Sequence, residues 1–301
     1  MTLKQTLDEF ISSRIMSGLV EKSVKDYREF CTRFIAFVGS FREYETLSQE
    51  DISNYILSMM QRPISKTTAA TYIRHTKVYL KWCSETYAST GFDYRKIKVP
   101  KSPKRHVLIY GDDEIKALFE GVEAENDWLI YRNRAILALM LDSGCRQAEI
   151  TRIICVDVDY KRCTVNIHGK GEKDRVVPLG NTSARYIREY IAACPKKIAV
   201  KDNLFITREL QPITTNTVKL MVSKLSRKLP FEISSHKLRH NFATNYCLNQ
   251  YRAYGQIDIY QLMYLLGHED VETTSRYLHF AYELIATEHS ISHVDKVFSA
   301  T

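Results

Sequence analysis

The sequence predicts a mainly α-helical protein with one small antiparallel β-sheet, divided into two domains. Three observations predict this fold class. Apolar side chains recur at helical spacing before residue 94 and again after residue 107. Two short β-rich segments, "CTVNIHG" and "DRVVPL", are joined by the turn-like "KGEKD". Between the two helical regions, residues 95–106 read "RKIKVPKSPKRH", and the prolines in this stretch are typical of a linker.

Residues 1–94 are predicted to form four helices. Ser23 can cap the second helix. The third would begin at "SQED", where Ser48 and Asp51 have the spacing of a capping box. Ser65 can cap the fourth helix. The inward face of that helix is predicted to carry small and apolar side chains at helical spacing: Ala69, Ile73, Thr76, Leu80 and Cys83.

Residues 107–301 are predicted to form a larger, mostly helical domain. It begins with a short capped helix in "GDDEIKALFEG", and a longer helix follows. After the two β-rich segments, the chain returns to helix in "TTNTVKLMVSKLSRKL", capped by Thr214 or Thr215. The remaining chain has a helical pattern with breaks at Gly255 and Gly267.

The composition is that of a globular protein. Of the 301 residues, 45% are hydrophobic and 26% are charged, and the length allows two domains. The N-terminus lacks the basic start and continuous apolar core of a signal peptide, and no apolar run is long enough to span a membrane. Seven cysteines without CxxC spacing argue against a disulfide framework and against a thiolate metal site. We therefore expect a cytoplasmic protein without a membrane partner.

Positive charge is concentrated in the linker and on the helix before it. The net charge is +8, and residues 95–106 contain six Lys or Arg and no acid. This stretch is either a solvated linker or a strap along a DNA backbone, where each cation that meets a phosphate releases counterions. A positive stripe at helical spacing precedes it, which favours the DNA interpretation. The candidate DNA-binding residues are Lys66, Arg74, Lys77, Lys81, Lys101, Lys104 and Arg105.

Four segments of the second domain carry basic side chains in polar settings. They are "SGCRQAEI", "HGKGEKDRVVPL", "HKLRHNFAT" and "LLGHEDVETTSRYLH". Each has an ordinary structural explanation. Arg146 could pair with Glu149 across one helical turn, and Lys170 could be an exposed turn lysine. A metalloprotease-type zinc site at His236 would need Glu where the chain has Lys237. Together, two arginines, a lysine and three histidines near chain breaks favour a functional site.

In their order and spacing, these segments resemble the tyrosine recombinase family, the phage-integrase type of site-specific DNA recombinases. That family has an Arg in T/S-G-x-R-x-x-E, a Lys in a G-K-G hairpin, H-x-x-R-H, L-G-H and a nucleophilic Tyr shortly after. The N-terminal helices and the length resemble its compact Xer-like members, and the resemblance covers essentially the whole chain. It implies six catalytic residues, Arg146, Lys170, His236, Arg239, His268 and Tyr277, with Glu149 and His240 as auxiliary residues.

The resemblance also implies the two-domain architecture of this family. Residues 1–94 would form a helical, SAM-like core-binding domain that binds DNA, and residues 107–301 would form the catalytic domain. Residues 95–106 would be the basic linker between them. The end of the catalytic domain, residues 281–301, has one apolar edge. The resemblance implies that this tail docks on a neighbouring protomer.

The chemistry of the family explains why these residue types recur. Arg146 and Arg239 would bind the phosphate with planar donor forks, and His268 would add a donor. Tyr277 would attack phosphorus and form a 3′-phosphotyrosine. The positive cluster is expected to favour the phenolate of this tyrosine, with His236 as the base. Because the covalent bond conserves the energy of the phosphodiester, we expect neither ATP nor a metal nor any other cofactor.

The implied partners are double-stranded DNA recombination sites. Lys170 would protonate the departing 5′ hydroxyl, and a 5′ hydroxyl from another strand would reverse the step, with exchange through a Holliday junction. The free protein is expected to be a monomer that forms a homotetramer on paired sites. Accessory DNA-bending proteins are further candidate partners. In the cell we expect it in the cytoplasm, associated with the nucleoid when it is bound to DNA.

Three alternatives remain open from the sequence. They are a catalytically silent DNA-binding protein on the same fold, a type IB topoisomerase or telomere resolvase, and a zinc hydrolase built on the histidines. The chain also departs from the family pattern. Cys145 stands where a bulkier aliphatic residue is usual, and the segment between His240 and His268 is longer than in compact members. That segment supplies Tyr251 and Tyr254 as less favoured nucleophiles.

Overall fold

The computed structural model describes residues 1–87, 91–101, 109–169 and 174–288. The chain divides into two compact units, Met1–Arg105 and His106–Thr301, and each has a hydrophobic core of its own. Within the described residues, no helix is long and apolar enough to cross a membrane. The predicted site residues Lys104, Arg105 and Lys170 lie outside the described residues. The same is true of the part of the predicted tail, residues 281–301, that follows residue 288.

The first unit contains the four helices that the sequence predicts. They are α1 (Leu3–Met16), α2 (Glu21–Val38), α3 (Gln49–Gln61) and α4 (Lys66–Thr86). The capping box of α3 is present, because the Asp51 amide donates to Ser48 Oγ at 3.2 Å and the Ser48 amide donates to the Asp51 carboxylate at 2.9 Å. The Ser65 hydroxyl caps α4. The predicted cap of α2 is wrong, because that helix begins at Glu21 and Ser23 lies inside it.

The residues of α4 divide between the core and the predicted DNA-binding surface. The predicted inward stripe is buried, with none of its members more than 2% exposed: Ala69, Ile73, Thr76, Leu80 and Cys83. Four of the predicted DNA-binding residues are exposed: Lys66, Arg74, Lys81 and Lys101. Lys77 is half-buried, and its ammonium donates to the carbonyl of Ile97 at 2.7 Å. Ile97 is 2% exposed and belongs to the core of this unit. The first residues of the predicted linker are therefore packed against α4, and Lys77 holds them there.

The second unit combines helices with the one antiparallel sheet. Its helices in the described part of the chain are α5 (Asp112–Glu120), α6 (Asp127–Ser143), α7 (Gln147–Ile150), α8 (Asn181–Ala193), α9 (Thr215–Ser226), α10 (Ser235–Tyr254), α11 (Ile259–Leu266) and α12 (Val271–Glu288). The strands are β1 (Val158–Asp159), β2 (Thr164–Ile167) and β3 (Arg175–Pro178), in the order β1-β2-β3. Val165 pairs with Val177 across β2 and β3, and both side chains are buried. The predicted fold class is confirmed.

Helix α8 is absent from the sequence prediction. Its N-cap is Gly180, which has no side chain to signal the start of a helix. The capping acceptor comes from α6 instead, where the Asp142 carboxylate accepts from the Gly180 amide at 3.1 Å and from the Ser183 hydroxyl. A Cβ on Gly180 would collide with this carboxylate. A side chain at this position would therefore displace the carboxylate that accepts from the start of α8.

Three helices of the second unit end at glycines in the left-handed conformation. Gly144 follows α6 with φ +61°, Gly255 follows α10 with φ +70°, and Gly267 follows α11 with φ +60°. The predicted breaks at Gly255 and Gly267 are confirmed. Two of these breaks lie beside the predicted site residues, because Arg146 comes two residues after Gly144 and His268 comes directly after Gly267.

Candidate active site

Arg146 precedes α7 and lies two residues after the break at Gly144. Its Nη1 donates to Glu149 Oε1 at 2.9 Å, and its Nη2 donates to the carbonyl of Gly267 at 3.0 Å. Its amide donates to Glu149 Oε2 at 2.8 Å. The side chain is nevertheless 45% exposed. Since a guanidinium has five N–H donors, several remain for a ligand on the exposed edge.

Arg239 on α10 is the second arginine of the site, and it is only 5% exposed. Its Nη1 donates to the carbonyl of Gly144 at 2.7 Å, and its Nη2 donates to the carbonyl of Leu266 at 2.6 Å. Burial and repulsion from Arg146 lower the pKa of Arg239 to about 10. The guanidinium therefore remains charged at neutral pH. Two cations that repel each other in a partly buried site are stabilised by a bound anion.

Arg175 on β3 is a third arginine of the site and is absent from the predicted set. Its side chain is only 4% exposed. Its Nη1 and Nη2 donate to the two oxygens of Glu149 at 3.0 and 2.8 Å, and its Nε donates to the carbonyl of Leu265 at 2.8 Å. Burial would raise the pKa of Glu149, but the hydrogen bonds and the charge of Arg175 lower it below its usual value. Glu149 is therefore ionised at neutral pH.

The end of α11 is the feature that brings the three arginines together. Three consecutive carbonyls, those of residues 265, 266 and 267, each accept a hydrogen bond from a different arginine. Carbonyls at a helix C-terminus lack intrahelical partners and carry the negative end of the helix dipole, so they suit cations. A Cβ at Gly267 would lie 2.9 Å from Arg175 Nη1 and 3.4 Å from Arg146 Nη1. The glycine therefore provides both the break and the space for the arginines.

His268 is held by a buried threonine at the start of α12. Its Nδ1 lies 2.8 Å from the Thr274 hydroxyl, and Thr274 is fully buried. Burial, followed by the charges of Arg239 and Arg146, lowers the pKa of His268 to about 4. The imidazole is therefore neutral near pH 7. Thr274 is a second site residue that is absent from the predicted set.

His236 and His240 lie one turn apart on α10, with ring centroids 4.0 Å apart. His236 is exposed, whereas His240 is 7% exposed. Burial and the charge of the neighbouring groups lower the pKa of His236, and they lower that of His240 to about 4. Nδ1 of His240 has no hydrogen-bond partner within the described part of the chain. Both rings are neutral near pH 7 and able to accept a proton.

Tyr277 on α12 is 1% exposed, and its ring lies near those of His240 and His268. Its ring centroid is 5.3 Å from that of His240 and 6.4 Å from that of His268, with the latter ring nearly parallel at 13°. Burial raises the pKa of Tyr277, although nearby arginines, Arg239 first among them, lower it. The arginines do favour the phenolate, as expected, but burial outweighs them, so the net pKa of Tyr277 is raised in the protein without DNA. The tyrosine is therefore protonated at rest, which agrees with the expected need for a base.

This arrangement agrees with a match to a known family. The pattern of the phage integrase family matches residues 111–283, which is more than half of the chain. The chain belongs to the phage integrase family. Tyrosine recombinase XerC of Staphylococcus epidermidis is 28% identical to it over 270 residues, 88% of this chain and 89% of that protein. Tyrosine recombinase XerC of Listeria innocua is 26% identical over 283 residues, 92% and 91% of the two chains.

Solved structures share the fold of this phage integrase family member. A Tn1549 transposon integrase in complex with circular intermediate DNA has a TM-score of 0.70 at 16% identity, covering 92% of this chain and 95% of that one. A lambda integrase dimer bound to a core site has a TM-score of 0.71 at 15% identity, also covering 92% and 95%. The XerA recombinase covers 96% and 99% with a TM-score of 0.52 at 23% identity.

The two less favoured candidate nucleophiles, Tyr251 and Tyr254, lie too far along α10 to reach the site. Tyr251 and Tyr254 follow Arg239 on the same helix by 12 and 15 residues, which corresponds to about 18 and 22 Å of helix. A nucleophile must come within about 3–3.5 Å of the atom that it attacks. Tyr251 packs against Tyr282 with ring centroids 6.1 Å apart, and Tyr254 is 76% exposed.

Cys145 is the small residue that stands where the family pattern has a bulkier aliphatic side chain. It is 1% exposed and lies in the core, 3.0 Å from the Ser143 hydroxyl. Burial raises its pKa to about 11, so the thiol is protonated and acts as a packing residue. Within the described residues, no group of three His, Cys, Asp or Glu side chains is arranged to hold a metal ion.

Hydrogen bonds of His168 connect the described residues on the two sides of Lys170. Nδ1 of His168 lies 2.9 Å from the Asp174 carboxylate, and Nε2 lies 3.1 Å from that of Asp157. The hydrogen bond with Asp174 raises the pKa of His168, and Asp157 adds to the effect. His168 follows β2 and Asp174 precedes β3, so this contact joins the described chain on the two sides of residues 170–173.

Proposed function

We propose that this recombinase cleaves and rejoins DNA strands at specific sites through a 3′-phosphotyrosine intermediate and a Holliday junction. The observation that carries the proposal is a buried tyrosine beside two phosphate-binding arginines. The ring of Tyr277 packs near those of His240 and His268, and the charges of Arg239 and Arg146 act on its hydroxyl by lowering its pKa. We place the scissile phosphodiester between the arginines and this tyrosine. The family membership supports the same chemistry.

The arginines act as a clamp for the charge that develops on the non-bridging phosphate oxygens. Arg146 presents its exposed edge, and Arg239 lies beneath it with its position fixed by two carbonyls. Planar guanidinium forks match phosphate geometry and do not lose their charge. His268, which is neutral, adds one N–H donor. These donors stabilise the transition state more than the ground state because the charge grows during the reaction.

The proton of Tyr277 passes to His236 in this proposal. The tyrosine is protonated at rest because burial raises its pKa, so attack requires a base. His236 is neutral and exposed at the edge of the site. His240 is the poorer base, because its pKa of about 4 lies far below neutrality. On the leaving side, we assign protonation of the 5′ hydroxyl to Lys170.

The proposed partners are two double-stranded DNA sites and further copies of the same chain. Exchange between two duplexes requires four strand cleavages, which a cyclic homotetramer with one tyrosine per protomer would supply. We propose that the free protein is a monomer and that the tail beyond residue 288 couples neighbours on paired sites. Accessory DNA-bending proteins remain candidate partners. Among the similar structures, the lambda integrase is a dimer on its core site, and XerH is bound to a palindromic substrate.

A nicked suicide substrate tests the proposal. The 5′ hydroxyl diffuses away after cleavage, so a covalent protein–DNA adduct accumulates and its sequence reveals the site. We expect the adduct with the unmodified protein and no adduct with Tyr277→Phe, while DNA affinity stays nearly unchanged because only the hydroxyl is removed. Tyr251→Phe and Tyr254→Phe are the matched controls and should form the adduct normally. An adduct on the Tyr277→Phe variant would disprove the assignment.

The product distinguishes the proposed function from its alternatives. A recombinase joins two sites, a topoisomerase relaxes one plasmid, and a telomere resolvase closes a DNA end. A silent DNA-binding protein forms no adduct at all. Two-site joining in the presence of EDTA is the expected outcome, and relaxation or end closure without joining would favour the alternatives.

A further inference from the structure

The carboxylate of Glu149 is shared by two arginines. Oε1 accepts from Arg146 Nη1 at 2.9 Å and from Arg175 Nη1 at 3.0 Å. Oε2 accepts from the Arg146 amide at 2.8 Å and from Arg175 Nη2 at 2.8 Å. Each oxygen therefore has two donors, and the carboxylate is 5% exposed. Because both oxygens of Glu149 are occupied by donors, this geometry gives the carboxylate no role in proton transfer.

The two arginines that bind Glu149 differ in their exposure. Arg146 is 45% exposed and can meet a ligand. Arg175 is 4% exposed, and its Nε binds the carbonyl of Leu265. It lies behind the carboxylate, beside the carbonyls that hold Arg146 and Arg239. Arg175 is thus too enclosed to touch DNA phosphate, and its effect on the reaction must pass through other residues.

The buried arginine determines the net charge of the cluster formed by Glu149, Arg146 and Arg175. One carboxylate and one guanidinium form a neutral pair, which attracts a phosphate only weakly. A second guanidinium leaves the cluster with one net positive charge, and in a partly buried site such a charge interacts strongly with an anion. The exposed member of the cluster, Arg146, is the one that can present this charge to a ligand.

We propose that Arg175 is a positioning residue for the phosphate clamp. It balances the charge of Glu149, so that Glu149 orients Arg146 without neutralising it, and it fixes the end of α11 through Leu265. This inference rests on the proposed function, because it assigns a role within the same site. It also explains why a buried arginine occupies a strand whose other inward residue, Val177, is apolar.

The test compares two single variants with the double variant. In Arg175→Met, Glu149 is left with Arg146 alone and neutralises it, so we expect single-turnover cleavage to fall about 100-fold. Glu149→Gln in the same background removes the surplus negative charge and keeps an acceptor for Arg146. The double variant should therefore cleave about 10-fold faster than Arg175→Met, at the cost of one further hydrogen-bond partner. Rates are measured on the suicide substrate at saturating DNA.

Arg132→Met is the matched control for removal of a buried arginine. Arg132 is 7% exposed and is held by the carbonyl of Ile206 and by Asn133, on a different part of the catalytic unit from the clamp. Its folded variant should cleave at the normal rate, and Glu149→Gln should give it no gain. If the double variant is no faster than Arg175→Met, or if Arg175→Met itself cleaves normally, the positioning role is wrong. An unmodified protein that forms no adduct would instead refute the proposed function.

Discussion

The hydrogen bond between Thr274 and His268 bears on which ring nitrogen of the histidine can donate to a phosphate. His268 is neutral because its pKa is about 4, so it carries one ring proton. To donate through Nε2, it must leave Nδ1 unprotonated, and Nδ1 must then accept from the Thr274 hydroxyl at 2.8 Å. We therefore propose that the Thr274 hydroxyl donates to Nδ1 and selects the tautomer that the proposed phosphate contact requires.

Replacing Thr274 by Val tests this selection at nearly constant volume. Nδ1 loses its donor, both tautomers become populated, and we expect cleavage to fall about 10-fold, the effect of removing one hydrogen bond. The nitrogen chemical shifts of His268 report the tautomer directly and should move from the Nε2-protonated form to a mixture. Thr274→Ser keeps the hydroxyl and should retain both the tautomer and the rate. Thr273→Val is the neighbouring control, and an unchanged spectrum in Thr274→Val would exclude the tautomer argument.

At the scale of single residues, the sequence is informative about which side chains meet but not about how they are supported. Arg146, Arg239, His268 and Tyr277 could be proposed because the order and spacing of their segments resemble the family pattern, and Arg146 and His268 also follow glycine breaks. Arg175 could not, because an arginine in a short β-rich segment has the pattern of an ordinary surface strand residue. The pKa direction of Tyr277 also depends on a burial that no local pattern reveals.

At the scale of elements, the junction between α6 and α8 is stabilised by a cap from a distant part of the chain. The Asp142 carboxylate satisfies the Gly180 amide and the Ser183 hydroxyl at the start of α8. Replacing Asp142 by Ala leaves the amide without its acceptor, and removal of a helix cap costs about 1–2 kcal/mol. We expect a matching fall in the free energy of unfolding of the second unit in urea.

The control for this substitution is Asp113→Ala. Asp113 is in the first turn of α5, its side chain is 98% exposed and its ion pair with Lys116 spans 3.4 Å. An exposed pair of this kind contributes little. The cap interpretation fails if the two alanine variants unfold at the same urea concentration.

The same junction explains which elements could be predicted from the sequence. Helices α3 and α4 could be located because Ser48 and Ser65 supply their own caps, and the breaks at Gly255 and Gly267 are visible as glycines. Helix α8 could not, because its cap is 38 residues away in the chain. The start of the predicted linker looks like free chain for a similar reason, since only the tertiary contact from Lys77 shows that it is packed.

At the scale of the whole molecule, we propose that catalysis and DNA affinity draw on different parts of the chain. The proposed reacting groups all belong to the second compact unit, whereas exposed candidates for phosphate binding lie in the first. The net charge of +8 alone does not say which cations meet DNA. A site-specific enzyme can bind DNA more weakly and still carry out its chemical step. Substitutions in the first unit should therefore lower DNA affinity without changing the rate of cleavage at saturating DNA.

Replacing Lys66, Arg74 and Lys101 together by Ala should weaken DNA binding and flatten its dependence on salt. Each phosphate that the protein no longer neutralises lowers the slope of log affinity against log salt by about 0.9, so the slope should fall by about 2.7 in the triple variant if all three residues bind phosphates. Cleavage at saturating DNA should stay unchanged, because the clamp and Tyr277 are untouched. The control is an equal charge change at exposed lysines of the second unit, Lys196, Lys197 and Lys201. Equal reductions of slope in the two triple variants would mean that overall charge, rather than DNA binding by the first unit, determines the affinity.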